Sequence, residues 1–152
     1  MSTPPSDRTE HFILFDLAGA IYAVSSHVVK QMEMVETITP VPNTTRFMDG
    51  VVFSRGQVIP VMNLRVRFGF EKTPYDVRTR LIVIQLDNRT IGLIVDTARE
   101  FITISESAIQ PLPESMSEQV EKYLSGIAKL DDRLILILNV QQLLDLELVA
   151  SC

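Results

Sequence analysis

The chain repeats itself. Laid without a gap on Gly126–Leu144, the stretch Gly50–Phe68 is identical at three positions: Gly50/Gly126, Ile59/Ile135 and Asn63/Asn139. Seven further positions are apolar in both copies: Val51/Ile127, Val52/Ala128, Val58/Leu134, Val61/Ile137, Met62/Leu138, Leu64/Val140 and Phe68/Leu144. Upstream, Ile21–Pro42 runs parallel to Ile91–Pro113 with one residue's difference in length, and each ends in Ile-x-Pro-x-Pro. Such self-similarity marks a duplicated unit of roughly sixty to seventy residues. A chain of 152 residues holds two such units and little else. A unit of that size buries too little apolar surface to be stable alone, so the two copies are expected to share a core.

Composition decides what each unit is made of. Val, Ile and Thr contribute 16, 14 and 11 residues, against 7 Ala. β-Branched side chains lose rotamer freedom in helices and suit a pleated surface, so the chain is read as mainly β. Short strand-like runs flank turn signals: His11–Leu17 and Ala20–Val24 about Ala18-Gly19, Gly50–Phe53 and Gln57–Met62 about Ser54-Arg55-Gly56. Arg80–Leu86 and Thr90–Val95 flank Asp87-Asn88-Arg89, and Tyr123–Leu130 and Arg133–Leu138 flank Asp131-Asp132. Ser25 and Ser26 are candidate N-caps for a short helix through Val28, Val29 and Met32, and Met34–Thr39 reads as a strand. Asn63 and Asn139 are candidate N-caps for Leu64–Phe68 and a final helix Val140–Leu148, and Asp96 for a short turn. Phe101–Ser105 reads as a strand, and Ser115–Glu121 as a loop or short helix. About five short strands per copy are enough to close on themselves, so the expected architecture is two pseudo-symmetric five-stranded β-barrels side by side. Residues 1–10 read as a loose tail and 11–148 as one domain of two intertwined subdomains, approximate repeats 11–69 and 80–148.

The chemistry on offer is thin. The lone cysteine, Cys152, permits no intramolecular disulfide, and His11 and His27 alone make no zinc site. His11 reads as an exposed strand end and His27 as a surface residue. The six glycines lie singly, so no phosphate-cradling loop is present, and no nucleophile-elbow or zinc-protease motif occurs. A hydrolase built on Asp131, Asp132 or Asp96 would need those carboxylates to converge in a cleft. No catalytic site, metal or cofactor is expected. No apolar run reaches the ~18–20 residues of a membrane span, and the polar N-terminus does not read as a signal peptide. These features read as a cytoplasmic protein, and the net charge of −5 argues against nucleic acid. That charge is uneven: Arg46–Arg80 carries seven basic and three acidic residues, Asp96–Glu147 ten acidic and four basic. Opposite ends of opposite sign suit head-to-tail association, with Arg65 and Arg67 as the residues to test. Phe47, Met48 and Phe53, close to Arg55, read either as barrel core or as an apolar patch rimmed by a cation.

Taken in order, Ile38-Thr39-Pro40-Val41-Pro42-Asn43, Phe47 through Arg65, Gly92-Leu93-Ile94-Val95-Asp96, and Tyr123 through Leu144 resemble the CheW domain of bacterial chemotaxis coupling proteins. The resemblance spans about residues 11–146. It implies paired SH3-like five-stranded barrels with short helices and a C-terminal helix. It also implies a non-enzymatic adaptor that joins the cytoplasmic tip of a chemoreceptor (a methyl-accepting chemotaxis protein) to the regulatory domain of a CheA-type histidine kinase. Further implications are alternation with that homologous domain in rings, self-association, and a receptor tip lying in the groove between the barrels, the membrane being reached only through protein contacts. By position, the interface residues are Val29, Gln31, Gly50, Arg55, Gly56 and Phe101. Where the family often carries a glutamate paired with the arginine matching Arg55, this chain has Gln31, so a Gln31–Arg55 hydrogen bond is expected instead. The family's common Asn-Leu before Arg-Gly is Phe53-Ser54, and its usual aspartate is Asn63; these departures point to a divergent member in a non-standard array. The runner-up reading is a barrel that binds a small ligand between its two halves.

Overall fold

In the computed structural model, the described residues are 8–42, 44–114 and 122–144. They form eleven strands: β1 (Thr9–Leu17), β2 (Ala20–Ser25), β3 (Val29–Met34), β4 (Met48–Ser54), β5 (Gln57–Asn63), β6 (Arg80–Leu86), β7 (Arg89–Val95), β8 (Thr97–Ser105), β9 (Ile109–Gln110), β10 (Leu124–Leu130) and β11 (Arg133–Leu138). The helix α1 (Leu64–Arg67) follows β5, and residues 140–144 are helical after β11.

Four two-residue turns join antiparallel pairs: Ala18-Gly19, Arg55-Gly56, Asp87-Asn88 and Asp131-Asp132, all with positive φ at both residues. That left-handed geometry matches the twist of the strands it joins, and Gly, Asn and Asp tolerate it best. Each copy of the repeat thus contributes two hairpins. The copies do not keep their hairpins to themselves. One sheet runs β8-β1-β2-β11-β10-β9 and the other β3-β6-β7-β5-β4, so the first hairpin of each copy lies in the sheet of the other. Parallel pairings close this exchange: Ile135 and Ile137 of β11 oppose Ile21 and Ala23 of β2, while Val61 and Asn63 of β5 oppose Gly92 and Ile94 of β7. One sheet has six strands rather than five because Ile109-Gln110 pairs with Ile127-Ala128; its counterpart in the other sheet is a single bridge, Thr39 to Val51.

Three apolar clusters follow. One sits inside the six-stranded sheet (Phe12, Leu14, Ala23, Ile104, Ala128, Ile135, Ile137) and one inside the five-stranded sheet (Val52, Ile59, Val61, Leu81, Val83, Ile94). The largest lies between the sheets and includes Phe15, Tyr22, Met62, Leu64, Ile82, Leu93, Leu138 and Leu143. The Asn63 side chain accepts from Val66 N–H and that of Asn139 from Gln142 N–H, so both asparagines cap as expected.

Some local expectations fail. Ser25 starts no helix: its hydroxyl accepts from His27 N–H, one turn forms, and Val29–Met34 then pairs with β6. The ladder and the β-branched Val28 and Val29 outweigh the cap. That strand stops at Met34, and only Thr39 of the segment behind it pairs again. Asp96 does not cap a turn; β8 begins at the next residue. The N-terminal ladder begins at Thr9, inside the stretch read as a tail, with Thr9 opposite Ser105. The expected segment Ser115–Glu121, and the final helix beyond Leu144, lie outside the described residues. Among the described residues no helix is long and apolar enough to cross a membrane.

Candidate functional site

Five of the six residues singled out from sequence fall in the five-stranded sheet. Val29 and Gln31 lie on β3, Gly50 on β4, and Arg55-Gly56 form the β4–β5 turn. Strands β3 and β4 are the two edges of that sheet, and the side chain of Gln31 spans them: its Nε2 donates to Ser54 Oγ at 3.0 Å and to Glu33 Oε2 at 3.1 Å. The expected Gln31–Arg55 bond is therefore absent. With the Gln31 amide held by Ser54 and Glu33, Arg55 stands exposed and, among the described residues, has no hydrogen-bond or ion-pair partner.

Around Arg55 the surface is apolar. Phe53 is 75% exposed and directly opposes Val58, itself 60% exposed, and Met32 and Met34 are exposed on β3. Phe47 and Met48, by contrast, pack against the central core. The ambiguity over this trio thus resolves residue by residue. Strand alternation carries the signal: Val52, Ile59 and Val61 point inward, which sends Phe53 and Val58 outward. Met32 was hidden from sequence reading by the helix expected there.

Gly50 has a local reason to be glycine. Its φ is +140°, and a Cβ would lie 2.7 Å from the Thr39 carbonyl carbon and closer still to the oxygen. The bulge between Met48 and Gly50 and the Thr39–Val51 bridge require that approach. Gly126 sits at the matching bulge, where a Cβ would meet Gln110 O at 2.9 Å and Ile109 Cγ2 at 2.8 Å.

Phe101 lies on β8 in the other sheet, 62% exposed, stacked on the exposed His11 ring at 5.6 Å. Pairing against β1 and β6 makes Phe101 the counterpart of Met32, and Glu100 that of Gln31. The offset of the repeat makes Asp131 the counterpart of Arg55, Leu134 (62% exposed) that of Val58, and Arg133 that of Gln57. Arg133 bonds Glu100 at 2.6 Å. The second sheet thus keeps an exposed aliphatic residue at Leu134 but has Lys129 where the first has Phe53, and the hairpin tips differ in charge, Arg55 on one and Asp131-Asp132 on the other.

The other arginines considered for association face inward. Arg65 pairs with Asp96 through two bonds, Nε–Oδ1 at 2.7 Å and Nη2–Oδ2 at 2.8 Å. Asp96 Oδ2 also accepts from Ala18 N–H at 3.0 Å, tying α1 and the β7–β8 junction to the first turn. Partial burial pushes the Asp96 carboxyl upward, but the bonds from Arg65 and Ala18 outweigh it and hold the group below the usual carboxylate range. This pair lines a polar cleft of about 770 Å³ that also takes in Asp16, Tyr75, Arg78 and Arg99. The Arg67 guanidinium lies between Phe47 (4.3 Å) and Tyr123 (5.1 Å). Both arginines are thus engaged within the chain, Arg65 by Asp96 and Arg67 by the two rings. The carboxylates of Asp131 and Asp132 on their tip and of Asp96 in its ion pair form no common site, and among the described residues no three His, Cys, Asp or Glu side chains cluster as metal ligands.

Comparison with known proteins agrees with this architecture. Residues 11–148 match the family model of the CheW-like domain. The chain is 34% identical over 138 residues to the chemotaxis protein CheW of Bacillus subtilis, covering 91% of this chain and 88% of that one. It is 28% identical over 141 residues to the CheW of Klebsiella aerogenes, covering 93% and 85%. The crystal structure of the scaffolding protein TtCheW from Thermoanaerobacter tengcongensis superposes with a TM-score of 0.80 at 32% identity, over 87% of this chain and 90% of that one. The duplicated sequence, the two sheets with exchanged hairpins and these matches together place the chain in the CheW-like domain family.

Proposed function

We propose that this chain is a non-enzymatic scaffold of a bacterial chemosensory pathway, coupling the cytoplasmic tip of a chemoreceptor to the regulatory domain of a CheA-type histidine kinase. The observation that carries the reading is the exposed Phe53–Val58 pair beside Arg55, which has no partner among the described residues. An apolar centre with a charge at its margin is how protein interfaces are built, whereas a solvated hairpin seldom exposes a phenylalanine this far. Val29, Gln31, Arg55 and Gly56 lie at or beside this surface, on which the kinase domain docks. Gly50 acts there through the backbone it permits. Phe101 and Leu134 form the counterpart surface on the other sheet, and its acidic tip complements Arg55. That complementarity supports assembly in rings, with a homologous kinase domain or a second copy supplying the opposite face. The receptor tip occupies the groove between the sheets, and the protein works in the cytoplasm, held at receptor arrays by these contacts. The departures at Gln31 and Phe53-Ser54 alter the face that a partner reads, in keeping with a dedicated kinase.

Co-sedimentation with receptor tips and kinase tests this. Arg55→Ala and Phe53→Ser are each expected to weaken kinase capture by about 5- to 150-fold, the effect of removing 1–3 kcal/mol at a hot spot. Unchanged capture by both variants would refute the assignment of this face. Absence of any capture by the wild-type chain would refute the coupling role.

A further inference from the structure

Four aromatic rings run in series through the junction of the sheets: Phe15 on Tyr22 (5.6 Å), Tyr22 on Phe68 (5.7 Å) and Phe68 on Tyr123 (4.9 Å). Against the outer end of this row lies a cavity of about 270 Å³, lined among the described residues by Tyr22, Arg67, Phe68, Phe70, Tyr123 and Leu136, with others. Its side chains are apolar apart from the Arg67 guanidinium and the phenols of Tyr22 and Tyr123. The Arg67 guanidinium carbon lies 4.3 Å from the centre of the Phe47 ring and 5.1 Å from that of Tyr123, and its N–H groups are the donors available to a hydrogen-bonding partner. Among the described residues Nε is buried without a hydrogen-bond partner and no carboxylate pairs with Arg67. The Tyr22 phenol, too, makes no hydrogen bond among the described residues.

The repeat shows how unusual this cation is. The position matching Arg67 in the second copy is Leu143, fully buried in the central core. An arginine in a leucine's place, beside two rings and without an acceptor among the described residues, leaves a desolvated donor at Nε and free Nη groups that an anion would satisfy. We propose that this cavity binds a small monocarboxylate on an aromatic or branched apolar body, its carboxylate on the Arg67 edge and its body against Tyr22, Phe68 and Phe70. A guanidinium matches a carboxylate in shape, and a volume of this size suits a ligand of about ten non-hydrogen atoms. Burial pushes the Tyr22 hydroxyl's pKa upward, so it remains a donor to such a carboxylate throughout the neutral range.

Phenylacetate and its neutral analogue phenylacetamide are the probes, titrated into the full wild-type chain and followed by the NMR signals of the tyrosine rings. Phenylacetate is expected to saturate with a Kd between about 10 μM and 1 mM, at least tenfold tighter than the amide, moving Tyr22 and Tyr123. Arg67→Met should bring acid and amide within about twofold of each other, and Phe70→Ala, at the rim and clear of the guanidinium stack, should weaken both. No saturation by phenylacetate at about 10 mM would overturn the proposal. So would equal affinity for acid and amide in the wild type, or shifts confined to the polar cleft at Arg78 and Arg99. Binding only of a peptide ending in phenylalanine, and not of the free acid, would overturn the small-molecule assignment.

Discussion

Gly50→Ala separates the fold from the interface. Three effects act at this site. The residue holds φ at +140°, a backbone region that costs an alanine about 1–3 kcal/mol. The new Cβ would press on the Thr39 carbonyl, so the bridge that closes the edge of the sheet must open. That bridge holds two backbone bonds, Thr39 N–H to Val51 O at 2.8 Å and Val51 N–H to Thr39 O at 2.9 Å, each worth about 1 kcal/mol net. Together they predict a loss of about 3–5 kcal/mol. Gly126→Ala is the internal control. It sits at the equivalent bulge but has no positive φ, and one of its two close contacts is a side-chain methyl, Ile109 Cγ2, rather than backbone. Overpacking of that kind costs about 1–3 kcal/mol. Urea unfolding followed by circular dichroism measures both; at about 1.5–2 kcal/mol/M, Gly50→Ala should lower the midpoint by about 2 M and Gly126→Ala by about half that. A Gly50 variant within 1 kcal/mol of wild type, or a Gly126 variant that loses more, would refute the steric argument. It would also restore Gly50 as a residue whose surface, rather than its backbone, matters to a partner.

Asn63→Ala should cost more than Asn139→Ala in the same assay, about 2 against about 1 kcal/mol, because Asn63 is buried and also donates to the Tyr75 hydroxyl at 3.1 Å. Asp96→Asn should flatten the acid limb of stability. The folded carboxyl is held below its unfolded value, so as pH falls the unfolded chain takes up the proton first. The pair's contribution is therefore complete above the unfolded value of about 4 and declines as pH drops through the folded one, which thermal melts of variant and wild type from about pH 7 to pH 3 would show as converging curves. Parallel curves would count against the ion pair as a stabilising contact. Phe53→Ser should leave the unfolding midpoint within about 0.5 kcal/mol of wild type, since the ring is mostly in solvent; a larger loss would mean that it packs as core.

The features legible from sequence are those that neighbours along the chain decide. Four turns, two asparagine caps and the hairpins between them follow from residues within a few positions of one another, and each formed where its chemistry placed it. The duplication was also legible, with Gly50 matched to Gly126, although the bulges that these glycines occupy appear only in the fold. Ser25 misled because a cap is worth only about 1 kcal/mol, less than the ladder that β6 offers to Val29–Met34.

Residues far apart in the chain decided the rest. Which sheet each hairpin joins depends on the parallel pairings β2–β11 and β5–β7, between strands that share no turn. Whether Asp96 caps a turn or clasps Arg65, and whether Gln31 reaches Arg55 or Ser54, depends on which edges the folded sheets bring within about 3 Å of each other. The candidate site inherits that division. Sequence pattern supplied Arg55 at a hairpin tip. Only the tertiary structure left it without a partner among the described residues, beside an exposed Phe53, and placed Arg67 against two rings where the other copy of the repeat buries a leucine.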